Sequence, residues 1–307
     1  MELRHLRYFL AIAEAKSFTA AAERMHVAQP ALSQQIRDLE REMGVTLIER
    51  GARTRGLTEA GTRFAVRARR ILLEAESAED EMAAFSGARR GRVRFGSALQ
   101  SLTEGRVAPL LAKFHLLHPG LRVAFRESHT QPLLELLAHG RLDLALVHLG
   151  NTDGSSAGRQ DLEGAAVQIE RLYEEPLVLA VGPSHRLAAR VSIRWKDLAG
   201  EEFVSFGIGS TVRELVTDAA RQAGVPMRAP VSATNLGTIR ALVSAGLGVA
   251  ILPRVALTLP GPPLHGIELT APRLTRVVAL ARNTIRYESP AARAFTDFLR
   301  EGLRSET

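Results

Sequence analysis

The chain has 307 residues, enough at about 150 per domain for two buried cores. Its 46% hydrophobic and 24% charged residues exclude wholesale disorder, and the absence of Cys excludes disulfides, thiolate metal sites and cysteine nucleophiles. The net charge of +7, with a pI near 10.6, favours a polyanionic partner. The N-terminal stretch carries charges inside its apolar run, which is not the pattern of a secretory signal. The longest uncharged apolar segment, Ala241 to Pro253, is shorter than the ~20 residues of a membrane span. A soluble, cytoplasmic protein is expected. Of the 40 basic residues 37 are Arg, spread along the whole chain as a compositional habit.

Residues 1–70 hold 13 basic and 8 acidic side chains, a net of +5, whereas residues 71–81 hold five acids and no base. Leu6, Phe9, Leu10 and Ala13 mark one face of a first helix. A short second helix runs from Phe18 to about Met25, with Ala21, Ala22 and Met25 inward. The stretch VAQPALSQQIRDLEREMG forms a third, with Pro30 in its first turn, apolar Leu32, Ile36, Leu39 and Met43, and a stop at Gly44. Two helices joined by a short turn make a helix-turn-helix. The run VTLIERGARTRGLTEAG then reads as a basic hairpin, or wing, around Gly51 to Gly56.

The segment FTAAAERMHVAQPALSQQIRDLEREMGVTLIERGARTRGLTEAG resembles the winged helix-turn-helix of the LysR-type transcriptional regulators, without a gap across residues 3–61. Three positions depart from the family pattern: Ala28 stands where a capping Ser is usual, Ile48 replaces Phe, and Gln34 stands where Arg is frequent. Major-groove readout needs polar side chains at the start of the recognition helix, and Gln29, Ser33, Gln34 and Arg37 lie within two turns there, with Pro30 beside them. Arg50, Arg53 and Arg55 on the wing suit phosphates or a narrow minor groove. A lone Gln or Arg is usually a solvated surface residue. The family register is what favours Ser33, Gln34 and Arg53 as DNA contacts.

Leu57, Phe64, Ile71, Ala78 and Phe85 recur every seven residues, with Gly61, Ala68, Ala75 and Met82 between them. That 4-3 spacing is the signature of a two-stranded coiled coil, although the same stripe could pack on its own chain's core. A homodimer is expected, and with it a double-stranded DNA operator of dyad symmetry whose half-sites lie about 34 Å apart. The resemblance implies homotetramers. The expected divisions are a DNA-binding domain over 1–58, a coiled-coil linker helix over 59–88 and an effector-binding domain over 92–307.

From Val93 onward strand-like runs alternate with helices, indicating an α/β fold with a mainly parallel sheet. The runs are 93–96, 122–125, 142–147, 176–181, 203–206, 248–252, 266–269 and 276–282. The stretches PLLAKFHLLHPGLRV, HGRLDLALV and LVSAGLGVAILP are similar to the effector domain of the same family. This implies a two-lobed fold like periplasmic solute-binding proteins, with lobe I over about 92–166 and 265–307 and lobe II over about 167–264. The polar segment 149–165 is longer than the family's usual connection.

In such a fold, function sits where helices begin after strands, in the cleft between lobes. Ser101 to Glu104 and Thr211 to Glu214 have the spacing of capping boxes, Thr130 offers a capping hydroxyl ahead of Pro132, and Thr234-Asn235 precedes another helix. A capping box is usually only a cap, but several helix N-termini around one cleft favour an anionic ligand, a small carboxylate. The family's effector contacts at strand-to-helix loops point to Ser97, Gln100, Ser101, Thr130, Ser205, Thr211 and Asn235.

Catalytic chemistry finds no motif. GARTRGLT has phosphate-loop spacing but Leu57 in place of the required Lys, and G-x-S-x-G, H-E-x-x-H and a complete G-x-G-x-x-G are missing. His115 and His118 lie three apart with no third metal ligand nearby, and His129 and His148 at strand ends fit polar lining of the cleft. Neither an enzyme nor a cofactor is expected. Two rivals remain from other classes. An architectural DNA-binding protein would leave the second region idle. A transport solute-binding protein would not need the first.

Overall fold

The computed structural model describes residues 1–49, 56–85, 91–98, 105–150, 158–162, 165–284 and 287–304. They form two compact units, Met1–Gly87 and Ala88–Thr307.

The first unit contains α1 (Leu3–Ala15), α2 (Phe18–Arg24), α3 (Gln29–Met43) and α4 (Glu59–Phe85). The breaks between the first three follow local chemistry. Lys16 adopts a left-handed conformation after α1, the Ser17 hydroxyl accepts from Ala20 N–H to cap α2, and Gly44 closes α3 at φ 69°. Leu6, Phe9 and Leu10 of α1, Ala21 and Ala22 of α2, and Leu32, Ile36 and Leu39 of α3 pack into one core. Between α3 and α4, Ile48 and Leu57 pair as an antiparallel bridge, and Glu49 N–H donates to the Gly56 carbonyl at 3.0 Å. These are the two sides of the expected wing.

The seven-residue stripe divides along α4. Ala68 is buried in the core of its own unit, Leu57 and Phe64 pack against it, and the Phe64 ring meets Phe9 edge-on at 5.2 Å. These three positions, expected to face a second chain, are therefore used within their own. A helix that begins against a globular core meets that core first. Further along, Ile71 is 38% exposed and Met82 58%, Ala78 is exposed and Ala75 half-buried. The Phe85 side chain lies outside the described residues.

The second unit is a mixed sheet with helices on both faces. Its strands are β1 (Gly91–Ala98), β2 (Leu121–Ser128), β3 (Leu144–Gly150), β4 (Gly158–Leu162), β5 (Ala165–Val181), β6 (Ser192–Arg194), β7 (Glu202–Phe206), β8 (Arg228–Ala233), β9 (Ala250–Pro253), β10 (His265–Thr270) and β11 (Leu274–Asn283). Its helices are α5 (Val107–Leu117), α6 (Thr130–Ala138), α7 (Thr211–Gln222), α8 (Leu236–Ser244) and α9 (Pro290–Arg304). The main sheet runs β2-β1-β3-β11-β5-β10-β6, with β4 and β9 also on β5 and a separate β7-β8 pair. Parallel pairing holds for β1 with β2 and β3, β6 with β10, and β7 with β8. Among the described residues β5 and β11 pair with their neighbours antiparallel. The sheet is thus not mainly parallel, because the chain leaves the first lobe along β5 and returns along β11.

Those two strands carry the lobe boundary. Val167 and Ile169 belong to first-lobe core, whereas Leu177 and Leu179 of the same strand belong to the second. On β11 Leu274 packs in the second lobe and Val278 in the first. The crossings therefore lie near Glu175 and Arg276, about ten residues later than the expected 166 and 264. Long strands that twist through both lobes leave no turn or glycine to mark the passage.

Candidate functional site

On α3, burial of Leu32, Ile36 and Leu39 turns Gln29, Pro30, Gln34 and Arg37 outward, with Ser33 half-buried beside them. The outward groups form one hydrogen-bonded row. Arg37 Nη2 donates to Gln34 Oε1 at 2.7 Å and its Nη1 to Ser33 Oγ at 3.2 Å, while Gln34 Nε2 donates to Asp38 Oδ1 at 2.9 Å. An amide, a hydroxyl and a guanidinium are thereby held on one helical face, the set that can pair with base edges and phosphates. As the Ala28 substitution implies, α3 begins without a side-chain cap.

The wing is tied to this helix by a carboxylate. Glu40 Oε1 accepts from Leu47 N–H at 2.8 Å and from Ile48 N–H at 3.1 Å, so the first wing strand hangs from the recognition helix. Its second side is fixed by Thr58, whose hydroxyl donates to the Thr46 carbonyl and accepts from Gly61 N–H at the start of α4. Gly61 lies so close to the wing that a Cβ there would sit 2.0 Å from the Leu47 carbonyl oxygen. Arg50, Arg53 and Arg55 lie outside the described residues.

In the second unit a narrow cleft, partly open to solvent, is lined by Ala98, His129, Thr130, His148, Phe206, Gly207, Gly209, Ser210, Thr211, Val212, Thr234 and Arg276. The residues come from both lobes, and the first turns of α6 and α7 both face it. Thr130 and Thr211 were expected as caps, but His129 and Ser210 occupy the cap positions and neither gives a side-chain cap bond. Their hydroxyls go elsewhere. Thr130 Oγ1 donates to the His148 carbonyl at 3.0 Å and accepts from His148 N–H at 3.1 Å, and Thr211 Oγ1 donates to the same carbonyl at 3.1 Å. A buried carbonyl with two lone pairs outcompetes the local helix start. The Thr211 bond joins the second lobe to β3 of the first.

Below these hydroxyls Arg276 is fully buried, with its Nε and Nη2 on Glu175 Oε2 at 2.7 and 2.5 Å. Its Nη1 lies 3.4 Å from His148 Nδ1. Burial, and then the Arg276 charge, hold the His148 pKa well below its ordinary value of 6.5. The imidazole is neutral at neutral pH. Because a guanidinium can only donate, Nδ1 is the acceptor and the proton sits on Nε2.

The other expected ligand contacts divide. Asn235 caps α8, accepting from Thr238 N–H at 3.2 Å, and its neighbour Thr234 lines the cleft instead. Ser205 is buried with its hydroxyl on the Phe206 carbonyl, and Ser97 is fully buried on β1; neither is among the lining residues. Gln100 and Ser101 lie outside the described residues. Arg276 was missed. Its signal was a lone charge opening the apolar run RVVALA. His115 and His118 close α5, with the His118 ring 4.5 Å from Phe114, and no cluster of three metal-ligating side chains occurs among the described residues. No helix among them is long and apolar enough to cross a membrane.

A winged helix-turn-helix followed by a two-lobed α/β unit with a cleft defines a DNA-binding transcriptional regulator with an effector-binding domain. The family model described as bacterial regulatory helix-turn-helix protein, lysR family, matches residues 3–62, and the LysR substrate binding domain matches residues 86–304. The chain belongs to the LysR family, whose members are regulators and not enzymes. It is 31% identical over 272 residues to the HTH-type transcriptional regulator BudR of Raoultella terrigena, covering 87% of this chain and 90% of that one. It is 33% identical over 258 residues to a hydrogen peroxide-inducible genes activator of Dickeya chrysanthemi, covering 84% and 80%. The structure of full-length CbnR complexed with its target DNA superposes with a TM-score of 0.69 at 25% identity, covering 98% of this chain and all of that one.

Proposed function

We propose that this regulator binds a dyad-symmetric operator as a homodimer or a pair of homodimers, and that a small anionic molecule in the inter-lobe cleft controls it. The observation that carries the ligand class is the fully buried Arg276 guanidinium lining a cleft onto which α6 and α7 both open. A cation and two positive helix ends favour a carboxylate. The Thr211 bond to His148 couples the lobes across the same space, so a ligand with different affinity for open and closed arrangements shifts their balance. Dimerisation is supported by the outer half of α4, where Ile71, Ala75, Ala78 and Met82 continue the heptad beyond the core of its own unit.

Several relatives are named as activators of hydrogen peroxide-inducible genes. These 307 residues contain no Cys, so thiol oxidation is closed to this chain. The cleft instead favours a bound molecule as the signal. The test is a thermal-shift screen of small carboxylates and aromatic acids joined to a salt-titrated DNA-binding assay. Stabilisation by an acid that also alters DNA affinity supports the proposal. DNA binding insensitive to every acid makes the protein architectural instead. On the DNA side, Ser33→Ala or Arg53→Ala weakens operator binding in a mobility-shift assay, and unchanged affinity removes those residues from the interface.

A further inference from the structure

Arg276 and Glu175 stand directly opposite each other in the antiparallel register of β11 and β5. Each is also the midpoint of a lobe crossing. Tyr173 packs in the first lobe and Leu177 in the second, with Glu175 between them; Val278 and Leu274 flank Arg276 in the same way. The ion pair therefore joins the only two crossing strands seen among the described residues. Only one partner meets the cleft: Arg276 is among its lining residues and Glu175 is not. The Nε and Nη2 groups of Arg276 both engage a single Glu175 oxygen, while Nη1 turns toward the His148 ring.

We infer that Glu175 is a resident counter-anion for Arg276, which a carboxylate entering the cleft displaces or shares, and that this exchange transmits cleft occupancy to the crossing strands. The inference rests on the anionic-ligand reading above. A buried guanidinium must keep an anion beside it. When the cleft is empty Glu175 supplies that charge, so an incoming carboxylate approaching Nη1 competes with it rather than adding to it. The competition sets the ligand concentration at which the regulator responds. Because Glu175 lies on one crossing strand and Arg276 on the other, any loosening of their pair is felt at the lobe junction.

The test uses the full chain with acetate and succinate as probes, at ionic strength held constant with chloride. Affinity is measured by calorimetry, and the lobe response by emission of Trp195, the single Trp, whose Nε1–H donates to the Pro272 carbonyl just ahead of β11. Glu175→Gln is expected to bind the probes about tenfold more tightly, about 1.4 kcal/mol, while the ligand-induced Trp195 change is lost. Arg276→Met abolishes binding. Should Glu175→Gln fail to fold, Glu175→Asp, which draws the carboxylate back by one methylene, is expected to tighten binding severalfold. Unchanged or weaker probe binding in the folded Glu175 variants, with binding still lost in Arg276→Met, overturns the counter-anion role and leaves the anionic ligand standing. Absence of probe binding to wild type and Glu175 variants alike overturns both.

Discussion

The outward face of α3 and the inter-lobe cleft assemble their polar groups by opposite means. On α3, Ser33, Gln34, Arg37 and Asp38 lie within six residues and bond to one another three or four positions apart, so one helix supplies the whole arrangement. In the cleft, Thr130, His148, Thr211 and Arg276 come from four elements and two lobes, and their bonds span up to 128 residues of sequence. The first arrangement persists wherever the helix folds. The second depends on how two lobes are held together, which is what a ligand-responsive element requires.

Perturbations that act on one region and spare the other sharpen this contrast. The largest expected effect is Gly61→Ala. Its Cβ has no room against the Leu47 carbonyl, so the first unit loses about 2–3 kcal/mol in urea denaturation and DNA binding falls, while acid binding in the cleft is kept. Next is pH. The unfolded chain takes up a proton on His148 near 6.5, whereas the folded chain takes it up only at lower pH. Stability from this group is complete above 6.5 and is lost as pH falls from 6.5 toward the depressed folded value. His148→Gln is expected to remove that acid sensitivity, as followed by melting temperature against pH.

Thr211→Val removes one inter-lobe hydrogen bond and should cost about 1 kcal/mol in the second unit alone, measured by denaturation, with DNA affinity in the absence of ligand altered more than its salt dependence. Smallest and opposite in sign is Ala28→Ser, which restores a cap at α3 and is expected to stabilise the first unit by about 0.5–1 kcal/mol. Equal effects of Thr211→Val and Ala28→Ser on both units would break the contrast.

Local chemistry made the first region legible: the turn at Gly44, the inward Ala21 and Ala22 and the buried series Leu32, Ile36 and Leu39 are where the sequence puts them. The heptad was legible as a stripe, but not the point at which it leaves its own unit's core, because the spacing that suits a second helix also lets Phe64 meet Phe9 of the same chain. The cleft was partly legible. Thr130 and Thr211 were singled out for the right place and the wrong bond, since a helix start shows its own free N–H groups but not a carbonyl arriving from β3. The first half of β5 was missed because Glu170, Arg171, Glu174 and Glu175 interrupt its apolar pattern. Glu170 is answered by Arg300 and Arg304 of α9, and Glu175 by Arg276.

Composition and order by themselves determined a basic winged helix-turn-helix, a long helix and an α/β region in that sequence, with no thiol chemistry. They could do so because periodicity, caps and charge are short-range properties. The direction of the sheet pairing, the place where the chain changes lobes and the burial of Arg276 against Glu175 were decided only by tertiary structure. Each depends on which distant strand lies alongside, and a lone charge at the start of an apolar run becomes interpretable only when its counter-charge is seen beside it.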